Sequence, residues 1–306
     1  MVSNLNSSSQ AFLANMERVQ QRVEDASRQA SSGKRVNVAS DAPTEVDAIL
    51  QLRTDAARNG QIEENLAVAR TDADAADGAL TSASKIMDRA RVLAAQGANF
   101  TTDAIGRQSI AGEVETLLEQ MVAVSRTAVQ GRYIFGGDDS ANPPYDVDLT
   151  SANGVARLTN SLATRRVENS AGGSFAVARS AADIFDPRND DDSLASGNTF
   201  AALNQLRTAL LANDTTQIRT ASSSIQDAAV QLNTAQAFYG TVQNRISAAV
   251  NYASSYDTQI KTQLSQKEDA DIAAAALLVT QGSVQLQAAF QMQAKMPRTT
   301  LFDFIG

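Results

Sequence analysis

The chain has 306 residues and a formal net charge of -8, and it contains no Cys, His or Trp and only 5% aromatic residues. The absence of Cys and His excludes disulfide frameworks, the usual ligand sets of zinc and copper, and Ser-His-Asp or Cys-His catalysis. A carboxylate enzyme and a metal site of oxygen ligands stay open, whereas the acidic charge argues against binding to nucleic acid through its phosphate backbone.

The N-terminal segment MVSNLNSSSQAFLANMERVQ has no basic stretch followed by an apolar run, so we expect no secretory signal. No apolar run looks long enough to span a bilayer, and we therefore expect no membrane partner. These signals alone predict a cytoplasmic protein, unless a machine that needs no cleaved signal exports it.

Apolar residues in the first half of the chain alternate steps of four and three, a spacing typical of a coiled coil or helical bundle. The three runs are Phe12, Met16, Val19, Val23, Ala26 and Ala30; then Ile62, Leu66, Ala69, Ala73, Ala76, Leu80, Ala83, Met87, Ala90 and Ala94; then Ile110, Val114, Leu117, Met121, Val124 and Ala128. The second run is mostly alanine, which predicts that its partner helices approach closely.

Two breaks interrupt this helical pattern. In SSGKRVNVASDAP, Gly33 fits a helix C-cap, and Ser40 or Asp41 can cap the helix that follows. In AAQGANFTTDAIG, Thr102 or Asp103 can cap the third helix. The first half of the chain is therefore predicted to form three helices.

The character of the sequence changes from 136 to 199, where Gly, Pro, Asn and Asp clusters alternate with strand-like pieces such as VARLT and SFAVA. We predict a small β-rich insert. Its acidic cluster, Asp186, Asp190, Asp191 and Asp192, could bind calcium, but it lacks the alternating ligands, central Gly and distal Glu of an EF-hand loop. A solvated loop is the simpler interpretation, and we predict no catalytic residue, no cofactor and no metal.

Helical periodicity returns after residue 200 and continues to Pro297. Its two clearest runs are Tyr239, Val242, Ile246, Ala249, Ala253, Tyr256 and Ile260, then Ile272, Ala276, Val279, Ser283, Leu286 and Phe290. The predicted fold is mainly α with a small β-rich insert: the N- and C-terminal flanks form a long coiled-coil-like helical bundle, and a central α+β or β domain lies between them in the sequence. The predicted segments are an assembly helix over 1–40, the halves of a helical rod over 41–135 and 200–265, the insert over 136–199, and an assembly helix with a terminal hook over 266–306.

The sequence ends in KMPRTTLFDFIG, where four of the last six residues are large and apolar. Such a segment either packs on its own core or becomes buried only in a larger assembly. Because the first and last helical runs are also poor in aromatic bulk, we predict an assembly role for these two runs and for the terminal segment. The predicted partner-binding residues are Phe12, Met16, Val19, Val23, Leu286, Phe290, Leu301, Phe302, Phe304 and Ile305.

Three stretches of the flanks resemble bacterial flagellin and its relatives: QASSGKRVNVASDAP, GALTSASKIMDRARVLAAQGANFT and LSQKEDADIAAAALLVTQGSVQLQAAF. GRYIFGG and LFDFIG resemble the hook-associated junction branch of this superfamily more than the flagellins. The first of these motifs comprises Gly131, Arg132, Tyr133, Ile134, Phe135, Gly136 and Gly137. Asp41 stands alone before Ala-Pro-Thr, where flagellins carry two acidic residues and then Ala-Gly, and this departure weakens a flagellin assignment more than a junction assignment.

The resemblance implies a structural, non-enzymatic protein of the hook–filament junction, exported by the flagellar type III channel without a cleaved signal. It implies as partners further copies of the chain, a hook-side junction protein, flagellin and an export chaperone. A filament-forming flagellin is the first alternative, and a helical carboxylate enzyme or signalling rod unrelated to flagella is the second. The apolar centre of GRYIFGG either plugs the core beneath the insert or contacts a neighbouring subunit.

Overall fold

The computed structural model describes residues 2–161 and 164–295. The chain divides into two compact units, a terminal unit from the ranges 1–58 and 257–306 and a central unit over 59–256. Two long helices, α2 (Val46–Gly97) and α6 (Thr215–Glu268), contribute residues to both units.

The terminal unit pairs the two flanks of the chain. Its other elements are α1 (Val2–Ser32), a 3₁₀ turn (Ala39–Asp41) and α7 (Ile272–Lys295). Helices α1 and α7 pack against each other, and they run antiparallel because an antiparallel bridge joins Lys34 to Asp269 while Val19 and Val23 lie beside Gly282. The predicted pairing of the N- and C-terminal helices is confirmed.

The central unit is built on an alanine-rich core. Besides its parts of α2 and α6, it contains α3 (Ala104–Ser125), α4 (Ala181–Phe185) and α5 (Thr199–Leu211). Every predicted position of the second heptad run, from Ile62 to Ala94, is buried. The small β-carbons of alanine let helix axes approach closely, and the coiled-coil prediction is correct here.

Polar side chains connect α2 to α6 along this core. The Asn59 side-chain amide donates to the backbone oxygen of Ala253 at 3.0 Å and is itself buried. Farther along, Gln243 Nε2 donates to Asp74 Oδ1 at 2.9 Å. Gln236 Nε2 donates to Thr81 Oγ1 at 3.2 Å. We call these hydrogen bonds the α2–α6 ladder.

Within the described residues, the β-strands pair in three short antiparallel hairpins. They are β1 (Ala128–Val129) with β2 (Arg132–Tyr133), β3 (Tyr145–Val147) with β4 (Val155–Arg157), and β5 (Arg166–Glu168) with β6 (Ser174–Ala176). The register pairs Ala128 with Tyr133, Tyr145 with Arg157, and Arg166 with Ala176. Strands β4 and β6 coincide with the predicted VARLT and SFAVA pieces, and the predicted small β-rich insert is confirmed.

Several of the few aromatic side chains meet in the core between the insert and the helices. The rings of Phe135 and Phe185 lie edge-to-face with centroids 5.6 Å apart, and Phe135 contacts Tyr239 at 6.3 Å in the same geometry. Tyr145 and Phe185 each pack on Phe200. Edge-to-face pairs at these distances add stabilisation beyond the area they bury, so this cluster fastens the insert to the helices.

Helix α7 is more apolar than the sequence analysis expected. Its segment Ile272–Ala294 has a mean hydropathy of 1.3 and is long enough, by length and composition alone, to cross a membrane. The expectation that no run has this length was therefore wrong, because the many alanines of α7 raise the mean hydropathy of the segment. Length and composition do not separate a spanning helix from one that packs against other helices.

Candidate assembly surface

The contact between α1 and α7 depends on small residues. Ala26 on α1 and Ala275 and Gly282 on α7 are buried. A β-carbon at Gly282 would collide with a γ-methyl group of Val23. The glycine is therefore required for the distance at which these two helices pack.

The predicted assembly residues of the flanks fall in two environments. Phe12, Met16, Val19 and Val23 on α1 are half-buried, and so is Leu286 on α7. The remaining predicted residue of α7, Phe290, is 60% exposed. The predicted residues of the terminal hook, Leu301, Phe302, Phe304 and Ile305, lie outside the described residues.

The α7 residues that face α1 differ in part from the predicted heptad seam. The α7 positions covered within the structure are Ala275, Val279, Gly282, Leu286 and Ala289. Four members of the predicted run, Ile272, Ala276, Ser283 and Phe290, are instead exposed. The prediction followed the large apolar residues, whereas the helices meet along the side where small residues permit close approach.

Large apolar side chains of α7 remain exposed away from this contact. They are Ile272, Leu277, Leu278, Val284, Phe290 and Met292, and we call them the outer apolar residues of α7. A helix that is apolar nearly all round is normally buried on every side. Because α1 covers one side of α7 within the described chain, the outer apolar residues form the strongest candidate surface for a partner.

Ion pairs and hydrogen bonds centred on Glu268 lie at the turn between α6 and α7 in the terminal unit, and we call them the Glu268 cluster. Glu268 is 1% exposed, and its Oε1 accepts from Arg53 Nη2 at 2.6 Å and from Lys34 Nζ. The backbone oxygen of Glu268 accepts from Arg35 N at 2.7 Å and from Val36 N at 3.3 Å. The GKRV segment after α1 is thereby fixed to the start of the C-terminal flank.

The electrostatics of the Glu268 cluster favour the ionised form of the Glu268 carboxylate. Burial alone would raise the pKa of Glu268, but the hydrogen bonds and charges of Lys34 and Arg53 hold that pKa below its ordinary value. Gly33 supports the arrangement because it takes a φ of +70° directly after α1 and donates to Gln29 O at 2.9 Å. The sequence predicted the glycine cap but not the role of Glu268, whose signal was its place inside the flagellin-like stretch LSQKEDADIA.

The GRYIFGG motif forms a tight hairpin and the first step into the insert. Gln130 and Gly131 have φ values of 52° and 75°, which suit a two-residue hairpin turn between β1 and β2. Phe135 is 1% exposed in the aromatic core, while Tyr133 and Ile134 are half-buried. At Gly136 a β-carbon would lie 2.7 Å from the backbone oxygen of Asp139, so only glycine fits there. Phe135 therefore fills the core beneath the insert.

The acidic cluster of the insert separates into one buried and three exposed residues. Asp186 is buried, and its carboxylate accepts from Arg157 at 2.7 Å, Asn198 at 2.6 Å and Tyr145 at 3.1 Å. Burial alone would raise the pKa of Asp186, but the hydrogen bonds from Arg157 and Asn198 and the charges of Arg188 and Arg157 hold that pKa below its ordinary value. Asp190, Asp191 and Asp192 are exposed. Within residues 2–161 and 164–295, no group of three acidic side chains has metal-binding geometry.

Comparison with known families identifies the flanks. Residues 3–140 match the model of the bacterial flagellin N-terminal helical region, and residues 222–305 match that of the C-terminal helical region. The two matches together cover more than two thirds of the chain. The protein belongs to the bacterial flagellin superfamily. Flagellins and hook-associated relatives of this type are structural proteins without enzymatic activity, and this superfamily member is a component of the flagellum.

Similarity to individual flagellin-superfamily proteins is distant but spans most of the chain. A flagellin from Bacillus subtilis (strain 168) is 26% identical over 96% of this chain and 92% of its own length. Flagellar hook-associated protein-3 from Legionella pneumophila superposes with a TM-score of 0.62 at 14% identity, covering 71% of this chain and 98% of that structure. FlgL from Xanthomonas campestris gives a TM-score of 0.58 at 17% identity, over 71% of this chain and 99% of its own. FlgL from Bacillus cereus gives 0.54 at 19% identity, over 72% and 100%. The flagellin-superfamily fold is thus shared with solved hook-associated proteins.

Proposed function

We propose that the protein is the structural adaptor of the hook–filament junction, a layer of identical subunits on which flagellin polymerises. The observation that carries the proposal is the combination of flagellin-type flanks with the fold of solved hook-associated proteins over about seven tenths of the chain. The GRYIFGG hairpin, which resembles the hook-associated branch, supports the same assignment. In this proposal the flanks form the helix packing that the layer shares with the filament, and the insert forms the surface that differs from flagellin.

The proposed layer forms through contacts that the isolated chain leaves unmade. The outer apolar residues of α7 are exposed, and burying each large apolar side chain against a neighbour contributes about 1.5–3 kcal/mol before the cost of ordering. Contacts between different surfaces of identical subunits close into a ring or continue as a helix. Of the predicted residues, Phe12, Met16, Val19, Val23 and Leu286 serve the assembly by holding α1 against α7, whereas Phe290 meets a neighbouring subunit. The same intermolecular role is proposed for Leu301, Phe302, Phe304 and Ile305.

The proposed partners are further copies of the chain, a hook-side junction protein, flagellin and, during export, a chaperone. The proposed location is outside the cell, at the hook–filament junction, after passage through the flagellar type III channel without a cleaved signal. The basis for both is the family membership and the resemblance of the motifs. A chain without cysteine carries no intramolecular disulfide that would oppose threading through a narrow channel.

Purified full-length protein tests the proposal directly. We expect no long filaments from the protein alone, even when it is seeded with filament fragments at high concentration, while flagellin from the same organism elongates such seeds. A strain that lacks the gene should build hooks and release flagellin into the medium. Normal filaments in that strain would contradict the proposed junction role.

A filament-forming flagellin is the second candidate function. The observation that favours it is the match to Bacillus subtilis flagellin, which extends over nearly the whole length of both chains. Long homopolymeric filaments grown from the pure protein would establish this alternative in place of the adaptor. The same seeding experiment therefore separates the two functions.

A further inference from the structure

A groove of about 440 Å³ lies in the central unit between the β5–β6 hairpin and α6. It is lined by Phe175 of the hairpin and Ala249 of α6, which are buried, and by Tyr252 of α6, which is 49% exposed. Arg245 is the charged residue among those that line the groove. Apolar and aromatic walls with a few polar groups, around a volume of about 300–1,000 Å³, are typical of binding sites.

Both walls of the groove are held in place by contacts within the central unit. At the tip of the hairpin, Ser170 Oγ donates to Asn59 Oδ1 of α2 at 2.6 Å, and Asn59 is buried. On α6, the ring of Tyr252 stacks on that of Tyr256, with centroids 6.4 Å apart and an angle of 18° between the planes. Because the groove is preformed, a partner that binds there loses less free energy to the ordering of the site.

The charge of Arg245 is not balanced by a carboxylate. Within residues 2–161 and 164–295, Arg245 makes no ion pair, and no acidic side chain lines the groove. Arg157 and Arg165, by contrast, each pair with an aspartate of the central unit. A guanidinium group matches the geometry of a carboxylate, so the groove is suited to a segment that carries one acidic side chain among large apolar ones.

The terminal segment LFDFIG, residues 301–306, has this composition. Asp303 is its one charged side chain, and Phe302 and Phe304 flank it in the sequence. We propose that the groove binds the LFDFIG segment of a second copy of the chain. In this contact the two phenylalanines pack against the apolar walls of the groove, and Asp303 pairs with Arg245.

The outer apolar residues of α7 are the alternative surface for the same segment. Helix α7 has no charged side chain from Ile272 to Ala294, so no residue of that stretch would pair with Asp303. A carboxylate that leaves water without a partner costs free energy, and the unpaired charge of Arg245 therefore favours the groove. The proposal rests on the assembly role proposed for the terminal segment and names the surface that receives it.

A synthetic peptide tests this contact between separate chains. It has the sequence KMPRTTLFDFIG, residues 295–306, with a photoreactive benzophenone amino acid in place of Phe302. When the full-length protein is irradiated with excess peptide, we expect saturable labelling within 169–175 or 245–252, located by mass spectrometry. The peptide of natural sequence should compete for this labelling. Labelling of α7 instead, or the absence of saturable labelling, would overturn the proposal.

An exchange of charges tests the proposed ion pair. Arg245→Asp should weaken peptide binding about tenfold or more, because two carboxylates then meet, and a peptide carrying Asp303→Arg should restore labelling of this variant. The matched control is Arg219→Asp, which reverses the charge of another exposed arginine of α6 that does not line the groove. This control should bind the original peptide as the unmodified protein does. Equal weakening by both variants, or no restoration by the exchanged peptide, would contradict the pairing.

The labelling experiment requires no filament growth. If the junction role failed in the seeding and deletion experiments, labelling of the groove would still stand, and absent labelling would leave the junction role unaffected. The competition by the natural peptide uses the unmodified protein, so it does not depend on whether any variant folds.

Discussion

Gly282 shows how one missing side chain sets the packing of two helices. The residue lies in the middle of α7, where glycine ordinarily lowers helix stability by about 1 kcal/mol relative to alanine. Its cost is offset by the close approach of Val23 on α1. Helix propensity and packing therefore favour opposite residues at this position.

We predict that Gly282→Ala separates α1 from α7 in spite of the better helix propensity of alanine. The loss of the contact between α1 and α7 should be measured as faster amide exchange along α1 and as earlier proteolytic cleavage of the flanks. The control is Gly112→Ala on α3, since a β-carbon at the exposed Gly112 meets no atom within 4 Å. That variant should be neutral or stabilising by about 0.5–1 kcal/mol. If both variants behaved alike, the close approach would not matter.

We predict that Asp186 makes the central unit sensitive to acid. Its folded-state pKa lies below the unfolded value, so its charge stabilises the fold above the ordinary carboxyl pKa and this contribution is lost as pH falls through the folded pKa. Asp186→Asn should lower the free energy of unfolding at neutral pH by about 1–3 kcal/mol, because the half-buried Arg157 and Arg188 lose their charged partner. It should also reduce the further loss of stability measured by urea unfolding in acid.

The exposed neighbour Asp190 provides the comparison for this prediction. Asp190→Asn should change the free energy of unfolding by no more than about 0.5 kcal/mol, as is usual for exposed positions. An unchanged acid response in Asp186→Asn would assign the acid sensitivity to other carboxylates.

Helix α7 separates residues that hold the terminal unit together from residues that remain exposed. We predict that Leu277→Gln with Phe290→Gln leaves the melting temperature of the isolated chain nearly unchanged, because both side chains are 58–60% exposed. In cells carrying this double variant, flagellin should appear in the medium. Val279→Ala with Leu286→Ala, on the side that faces α1, should instead destabilise the isolated terminal unit. Loss of stability from the first pair would mean that those side chains serve the monomer.

Periodicity predicted α2 well and α7 only in part. In α2 the heptad positions are alanines interspersed with Ile62, Leu66, Leu80 and Met87, so the large residues mark the same side of the helix as the small ones. In α7 the large residues surround the helix, and the side that meets α1 is distinguished by Ala275 and Gly282. A hydrophobic pattern cannot distinguish an intramolecular contact from an intermolecular one when both need apolar surface.

The polar contacts could not be predicted from spacing because they join distant segments. Lys34 and Glu268 are separated by most of the chain, and Asp72 meets Arg165 only after the insert folds back on α2. The short strands were found at β4 and β6 because Gly and Asn clusters bound them. The β1–β2 hairpin was missed because its strands have two residues each. The domain boundaries inferred from composition stay a prediction.

The two units differ in how much apolar surface they bury. The central unit contains a continuous core from Ile62 to Ala249, whereas the separate cluster of the terminal unit consists of Val36, Ala42 and Ile49. Local stability follows the density of buried apolar contacts. We predict that limited proteolysis of the dilute protein first removes roughly the first forty and last forty residues and leaves the central unit intact. Equal protection of the flanks and the centre would contradict this prediction, and mass spectrometry of the fragments decides between the two.

The α2–α6 ladder contributes to the longitudinal alignment of these two helices. An alanine seam presents nearly the same surface every seven residues, so a slip of one heptad, about 10.5 Å along the axis, would again bring small apolar side chains into register. Asn59 and Gln243 break that equivalence, because each meets its partner at one alignment. The small side chains that bring α2 and α6 close together define their longitudinal alignment only weakly, and the amide groups of Asn59 and Gln243 add the specificity that the repeated alanines lack.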